Sequence, residues 1–431
     1  MRPTKIPVFF STLPGVCMSF RAPKGTDDVL PPESRRWREL LRSWDLLAEQ
    51  YGYAYVATPI FEATDLFARG VGEATEVVEK QMYSFRDKGG RHLTLRPEVT
   101  ASVLRAYIQG GLSGEFKGAY SGPCFRYERP QEGRRRQFWQ LGVEYLGAPD
   151  AEADLEVIEL GYRYLLDCGL GDVVVHVNSI GDAPDRVAYH ALLSGWLDER
   201  SHLLSKDAVR RIHTNPLRVL DSKADREVVA DAPVPLDYLE GETAAHHDQL
   251  IAGLQERGIA HRHAPRLVRG LDYYNRTVFE YIPPSYAAAH NAVGGGGRYD
   301  GLSRLLGGGD LPGVGLALGL DRILSAAGQS PPARALDVFL VVADQERRSL
   351  AHAFARRLRA AGVRCDLVAG RRSVKAQFRA ANRRDAALAV VIGAEWDRGM
   401  VTAKDLSSGD ERTIPAGEVA AWVIGGPEGG R

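Results

Sequence analysis

The chain has 431 residues, 44% hydrophobic and 26% charged, long enough for two or three domains with their own cores and ordinary for a globular protein. Its 55 Lys and Arg balance 55 Asp and Glu, so no global basic field marks a nucleic-acid binder, although that sum says nothing about local patches. No apolar run approaches the roughly 20 residues that span a bilayer, and the four cysteines (Cys17, Cys124, Cys168, Cys365) include no C-x-x-C pair. A membrane protein, a zinc ribbon and a disulfide scaffold are set aside, and a reducing cytoplasm is the simplest setting.

In chain order, residues 6–10 form a short apolar patch behind Arg2 and Lys5; residues 1–17 are expected to be a disordered extension, with Met18 as a natural start. Pro31 and Pro32 then open an amphipathic helix in which Trp37, Leu40, Leu41, Trp44, Leu47, Ala48 and Tyr51 recur at steps of three and four, and Gly52 ends it. Residues 53–61 read as a strand interrupted by Pro59, which removes a ladder donor and belongs at an edge or a break. Residues 92–95 read as a short strand that Arg96-Pro97-Glu98-Val99-Thr100 turns into a helix near 99–108. Residues 125–129 and 138–145 read as the two strands of a hairpin, whose loop holds Arg134, Arg135 and Arg136 and is too basic for a tight turn. Residues 151–168 predict an amphipathic helix and 173–177 a buried strand.

From about 183 to 264 glycines thin out, helix formers dominate and charges alternate, which predicts a helical insertion within one fold. The strand-and-glycine pattern resumes at Arg266 and runs to Gly328, with 313–322 giving a strand that passes into a helix. Residues 329–333 read as a linker. Beyond it, strands at 337–342, 364–368 and 387–392 alternate with helices at 345–361 and 373–384, which predicts a small α/β domain over 334–431. It is locally basic, with 13 Lys and Arg against 5 Asp and Glu in 334–385.

Two segments concentrate the chemistry. Residues 267–280 hold Arg269, Asp272, Tyr273, Tyr274 and Arg276 and read as a buried strand; a guanidinium carried toward a core needs an anion to meet it. Residues 294–301 place Arg298 and Tyr299 directly behind four glycines, and consecutive glycines let a backbone approach a ligand closely. Cations, tyrosine hydroxyls and bare backbone describe a site for a phosphate-bearing ligand and a small polar one. In the hairpin, Arg126 is the first candidate for stabilising charge on a phosphate under attack. The alternative nucleotide sites are missing from the sequence: no Walker string occurs, nor a G-x-G-x-x-G with an acidic partner. The histidines, including His261 and His263, show no metal spacing, and no metal site is expected.

The phrase Arg269-Gly270-Leu271-Asp272-Tyr273-Tyr274 and the glycine run at 294–301 resemble the signature segments of histidyl-tRNA synthetases, a family of class II aminoacyl-tRNA synthetases. The resemblance extends over about 18–422. It implies an α+β catalytic domain over 18–328, with an antiparallel sheet flanked by helices, and an anticodon-binding α/β domain over 334–431. Within it, Phe125-Arg126-Tyr127-Glu128-Arg129 resembles class II motif 2, Gly319-Leu320-Asp321-Arg322 resembles motif 3, and the helix, glycine and strand of 31–61 resemble motif 1, which builds a homodimer interface in that class. By resemblance, Arg126, Arg269 and Arg322 are the catalytic, ATP-binding arginines. Glu144 and Tyr274 grip an imidazole; Glu98, Thr100 and Gln140 surround an α-ammonium; Tyr273 and Tyr299 line the same pocket. Arg134, Arg135 and Arg136 would meet the phosphates of a tRNA acceptor stem. Two positions depart from the family's usual residues: Asp321 stands where glutamate is common and Val99 where glycine is common.

The implied activity joins L-histidine, ATP with Mg²⁺, and tRNA-His, in a cytoplasmic homodimer. The chemistry of the side chains supports histidine independently: a neutral imidazole has one donor and one acceptor nitrogen, which a carboxylate and a phenol satisfy together. Such polar recognition rejects analogues by about 10⁴–10⁵, so no editing domain is required. The alternative is a catalytically inactive, synthetase-like regulatory subunit of ATP phosphoribosyltransferase in histidine biosynthesis. The intact Arg269 phrase and the basic domain after 333 favour the ligase.

Overall fold

The stripe of apolar residues after Pro32 forms helix α1 (Glu33–Gln50), which buries Leu40, Trp44, Leu47 and Ala48; Gly52, with φ +80°, turns the chain out of it. The structure is a computed structural model that describes residues 20–425 apart from 73, 74, 76, 131–133, 221, 223, 287–291 and 329–333. The expected extension at 1–17 and linker at 329–333 lie outside the described residues. Two compact units emerge, one of residues 1–30 and 37–330, the other of 31–36 and 331–431.

The first unit is built on an eight-stranded sheet. Its strands are β1 (Ala54–Tyr55), β2 (Phe116–Phe125), β3 (Gln137–Leu146), β4 (Val174–Ser179), β5 (His261–His263), β6 (Asn275–Ile282), β7 (Gly294–Arg298) and β8 (Gly313–Gly319), in the order β1-β2-β3-β8-β7-β6-β4-β5. The six inner strands pair antiparallel, as expected. Both edge pairs, β1 with β2 and β4 with β5, are parallel. Long crossovers, not hairpins, connect these pairs, and a parallel pair requires such a crossover. The strand read over 53–61 is split: after β1 the chain leaves for a separate three-stranded sheet of Phe61–Ala63, His92–Leu95 and Tyr83–Arg86.

The motif 2 hairpin is shifted from its expected position. β2 ends at Phe125, so Arg126 to Arg129 lie beyond the ladder. The segment 267–280 is corrected more strongly. Only β6, from Asn275 onward, is strand; Leu267, Val268 and Leu271 pack as turns against a core of Tyr273, Tyr274, Val278 and Tyr299. The side-chain amide of Asn178 donates to the carbonyls of Pro265 and Leu267 at 3.2 and 2.9 Å, standing in for a ladder partner. Arg276 then takes φ +47°, which breaks the extended run.

One face of the sheet is covered by α1 and by α3 (Ala151–Asp167), with Trp44, Leu160 and Tyr164 packed on Val143, Val175, Phe279 and Leu316. The other face carries Tyr273, Tyr274 and Tyr299 beneath helix α2 (Thr100–Gln109). The helical insertion is narrower than expected. Helix α4 (Ala183–Asp198) and the short helices after it share a core of their own, from Tyr189 to Ala232. Helix α5 (Gly241–Glu256), in contrast, buries Leu250 and Leu254 in the main core and leads into edge strand β5. The buried face of α5 includes Thr243, His246 and His247 beside Leu250 and Leu254, so it does not read as an apolar stripe in the sequence.

The second unit, after helix α6 (Leu320–Ala326) of the first, is a five-stranded sheet of β9 (Leu336–Val342), β10 (Cys365–Asp366), β11 (Ala386–Ile392), β12 (Met400–Asp405) and β13 (Glu411–Pro415), ordered β10-β9-β11-β12-β13. Helix α7 (Arg348–Ala360) packs on Val338, Leu340 and Val342, while α8 (Val374–Arg383) packs on Phe339 and Val341. β9 is apolar from Val338 to Val342 because both its faces are covered there.

A buried charge node ties the first unit together. Arg298, at the end of β7, is fully buried and pairs with Asp154 of α3, also fully buried, and with Asp300 at 3.1 Å. Its remaining donors reach the carbonyls of Ala148 and Asp150. Asp154 also receives the Thr277 hydroxyl at 2.6 Å and lies 2.7 Å from Nε2 of His246 on α5. Burial pushes the Asp154 carboxyl up, but Arg298 and His246 outweigh it and hold the group below its usual range. Arg298 is therefore a framework cation, not the ligand-facing one that its place behind the glycines suggested. Arg298→Met should leave Asp154 uncompensated and lower stability by about 3–5 kcal/mol. Adding Asp154→Leu should restore most of the loss; thermal unfolding of the three proteins checks this, and a harmless single variant would show the pair to be dispensable.

Candidate active site

Strand register builds the floor of a pocket from rows of small residues with a polar side chain set into each. In the first row, Gly118 faces Glu144 on β3, Glu144 faces Gly315, and Gly315 faces Gly297. In the second, Tyr120, Gly142, Ala317, Gly295 and Glu280 follow one another across five strands. In the third, Gln140 stands between Gly122 and Gly319. The glycines make room: a Cβ on Gly315 would lie 1.9 Å from the Glu144 carboxylate, and one on Gly297 would lie 2.8 Å from the Tyr274 ring. The glycine run of β7 is thus mid-sheet strand, and side chains of the pocket lie over it.

At the inner end, Glu144 is buried and accepts hydrogen bonds from the Thr100 hydroxyl, at 2.7 Å, and from the Tyr299 hydroxyl. Burial pushes its carboxyl up to about 8, against the pull of those two donors. Tyr273 and Tyr274 are buried beside it, their rings 4.6 Å apart, with Tyr273 edge-on to Tyr299 at 5.7 Å. Glu98, also buried and pushed up by burial, accepts the backbone N–H of Ala101 at 3.1 Å, so it caps the first turn of α2. Val99 packs into the core under α2.

Beside this pocket opens a cleft of about 150 Å³ lined by Arg126, Arg134, Arg135, Arg269 and Arg322, with Gln140, Phe138, Glu128, Glu280 and Asp321. Arg126 lies over the Phe138 ring and donates from Nε to the Pro97 carbonyl at 2.9 Å. Arg269 reaches the cleft from the turn before β6 and pairs with Glu280. Burial, then the nearby Arg134 and Arg126, pulls Arg322 below the ordinary guanidinium value, the expected result of cations gathered about one space. Gln140 accepts from the Cys124 thiol at 3.1 Å.

The three loop arginines part company. Arg134 pairs with Glu128 at 3.3 Å, and Arg135 with Asp27 and Asp321 at 3.2 and 3.0 Å. Arg136 does not line the cleft: its guanidinium stacks on Tyr127 at 3.8 Å and its Nε donates to the Glu128 carbonyl. Residues 131–133 of that loop lie outside the described residues. Asp321 has a defined place: it accepts the Trp139 backbone N–H at 3.1 Å and holds Arg135, so the shorter side chain ties α6 to the hairpin. Sequence reasoning missed Tyr120 and Glu280 as parts of the floor; alternation along β2 and β6 identifies both once the strand limits are known. Among the described residues, no group of three or more His, Cys, Asp or Glu could hold a metal ion, and no helix is long and apolar enough to cross a membrane.

Comparison with known proteins identifies the family. The family model described as histidyl-tRNA synthetase matches residues 25–323, and one described as anticodon binding domain matches 337–425. The histidine–tRNA ligase of Rubrobacter xylanophilus is 44% identical over 415 residues, spanning 93% of this chain and 98% of the relative. Among solved structures, the apo histidyl-tRNA synthetase of S. aureus has a TM-score of 0.76 at 35% identity, covering 93% of this chain and 99% of that one. A Bacillus halodurans structure described as an ATP phosphoribosyltransferase regulatory subunit/histidyl-tRNA synthetase shares the fold, with a TM-score of 0.63 at 24% identity over 88% of this chain and all of that one. The regulatory-subunit alternative is not favoured by these likenesses. The chain belongs to the histidyl-tRNA synthetase family, and its activity is that of a histidine–tRNA ligase.

Proposed function

We propose that the glycine-floored pocket holds L-histidine and that the arginine cleft holds the phosphates of ATP, the two substrates joined as histidyl-adenylate. One observation carries this reading: Glu144, set between Thr100 and Tyr299, closes an inner pocket that adjoins a cleft where Arg126, Arg269 and Arg322 meet. Glu144 and Tyr274 read the imidazole; Glu98, Thr100 and Gln140 surround the α-ammonium; Tyr273 and Tyr299 wall the ring in. When the histidine carboxylate attacks the α-phosphorus, charge builds on the nonbridging oxygens. Arg126 and Arg269 stabilise that charge without reorganising, since Phe138 and Glu280 already hold them. Arg322 holds the outer phosphates, and pyrophosphate leaves. Mg²⁺ carried in with ATP belongs to the same proposal: Glu128 and Glu280, which line the cleft, would be the carboxylates at hand to hold it, and the ion would neutralise charge on the phosphates.

The second step transfers histidine to tRNA-His. Arg134 and Arg135 line the cleft that the 3′ end of the tRNA must enter. Arg136, stacked on Tyr127, shapes the loop that carries them. The second unit, with its excess of 8 positive side chains over 334–385 (13 against 5), meets the anticodon region. A cytoplasmic homodimer joined through the motif 1 segment belongs to the same proposal; the exposed Tyr55, Ile60, Phe61 and Phe85 support it.

Arg269→Ala should lower histidine-dependent ATP–pyrophosphate exchange by about 10²–10³ while the KM for histidine moves less. A variant with near-normal exchange would remove Arg269 from the reaction. Ending the chain after Ala333 should leave exchange largely intact and weaken tRNA charging, with a log–log salt slope shallower by about 0.7–0.9 per lost phosphate contact; equal charging by both forms would rule the second unit out as a tRNA contact. The raised Glu144 pKa gives a third expectation. A carboxyl whose folded pKa is about 8 against an ordinary 4.5 stabilises the fold fully below 4.5, and loses that contribution as pH rises through 8. The melting temperature of the ligand-free protein should therefore fall across this window more steeply than that of Glu144→Gln. Parallel curves would mean that Glu144 titrates normally.

A further inference from the structure

The pocket tyrosines sit on a turn that has almost no ladder of its own, and the helical insertion holds it. Arg186, on the first helix of the insertion, donates from Nη1 to the carbonyl of Tyr274 at 2.9 Å. Asp182, the N-cap of the same helix, accepts from Asn275 Nδ2 at 2.8 Å and pairs with Arg276 at 2.7 Å. The backbone joins in: Arg276 N–H donates to the Gly181 carbonyl and Ile180 N–H to the Arg276 carbonyl, both at 2.9 Å. Arg276 is held at φ +47°, a left-handed conformation that non-glycine residues adopt at a cost. Asn275 carries the restraint onward, donating to Asp300 at 3.0 Å and accepting the Asp300 backbone N–H at 2.8 Å, next to Tyr299. Further along the insertion, Asn215 reaches Asp272 at 3.2 Å, at the start of the turn. Every one of these contacts is made to the backbone or to residues flanking Tyr273 and Tyr274, and none to the tyrosine rings.

We propose that Arg186 and Asp182 are positioning residues for amino-acid recognition: the first helix of the insertion sets the Tyr273–Tyr274 turn, so the insertion tunes histidine affinity without meeting the histidine. The inference rests on the reading that Tyr273 and Tyr274 wall the amino-acid pocket. It also gives the insertion a task in the first half-reaction. The segment has its own small core, from Tyr189 to Ala232, and is bonded to the turn that carries Tyr273 and Tyr274.

The test measures histidine-dependent ATP–pyrophosphate exchange in the full chain for wild type, Arg186→Ala, Arg186→Lys and Leu193→Ala. Loss of the charge-assisted bond to the Tyr274 carbonyl should raise the KM for histidine about tenfold, leaving the KM for ATP within about twofold. Arg186→Lys, which keeps a cationic donor, should recover most of the difference. Leu193→Ala loosens the insertion's own core, where Leu193 is fully buried, and should lower the melting temperature with the histidine KM little changed. An unchanged histidine KM in Arg186→Ala overturns the proposal. So does a loss that lysine fails to rescue, or one that Leu193→Ala reproduces, since each marks a general loss of stability. Wild-type protein without histidine-dependent exchange would instead overturn the assignment of the pocket.

Discussion

Asp154 and Arg298 are both sealed from water, and neither could stay there without the other. That pair fixes where α3 lies against the sheet, and it lies one residue before Tyr299. Thr277 and His246 bind the same carboxylate, so β6 and α5 are drawn to one point. The site-facing side of the sheet can then be populated with glycines. A sheet that carries so little side-chain packing on one face needs its strands located from elsewhere, and the buried node on the opposite side provides that.

The glycine rows have a consequence for recognition. A buried carboxylate is costly unless it is hydrogen-bonded, and Glu144 lies flat against Gly315 with Thr100 and Tyr299 as donors. Burial still pushes that carboxyl well above the usual carboxylate range. A polar ring that offers both a donor and an acceptor suits such a group, whereas an apolar side chain would leave it unsatisfied. The neighbouring cleft follows the reverse logic. Its five arginines outnumber the three carboxylates that line it with them, Glu128, Glu280 and Asp321, and an anionic ligand is what such a cluster fits.

Much of this is legible in the sequence, and for physical reasons. Helix α1 and the alternation of the second unit follow from local periodicity, which tertiary context did not override. Residue type and resemblance pick out Arg126, Arg269, Arg322, Glu144 and Tyr274, but not Tyr120 or Glu280. What could not be read was register and long-range pairing. Arg298 looked like a ligand cation because its partner, Asp154, is far away in sequence and brought close only by the fold. The strand expected from 267 was an apolar turn, since a short run of Leu and Val packs equally well without a ladder. Arg136 could not be told from Arg134 and Arg135 until Tyr127 was seen beneath it. Helix α5 reads as part of the insertion because polar residues, Thr243, His246 and His247, share its buried face with Leu250 and Leu254.

The central claim is that the Glu144 pocket selects an imidazole for activation in the adjoining cleft. ATP–pyrophosphate exchange measured with each of the twenty amino acids tests it most directly. The account predicts exchange with histidine alone, exceeding every other amino acid by about 10⁴ or more. Comparable exchange with glutamine, asparagine or an aromatic residue would contradict it.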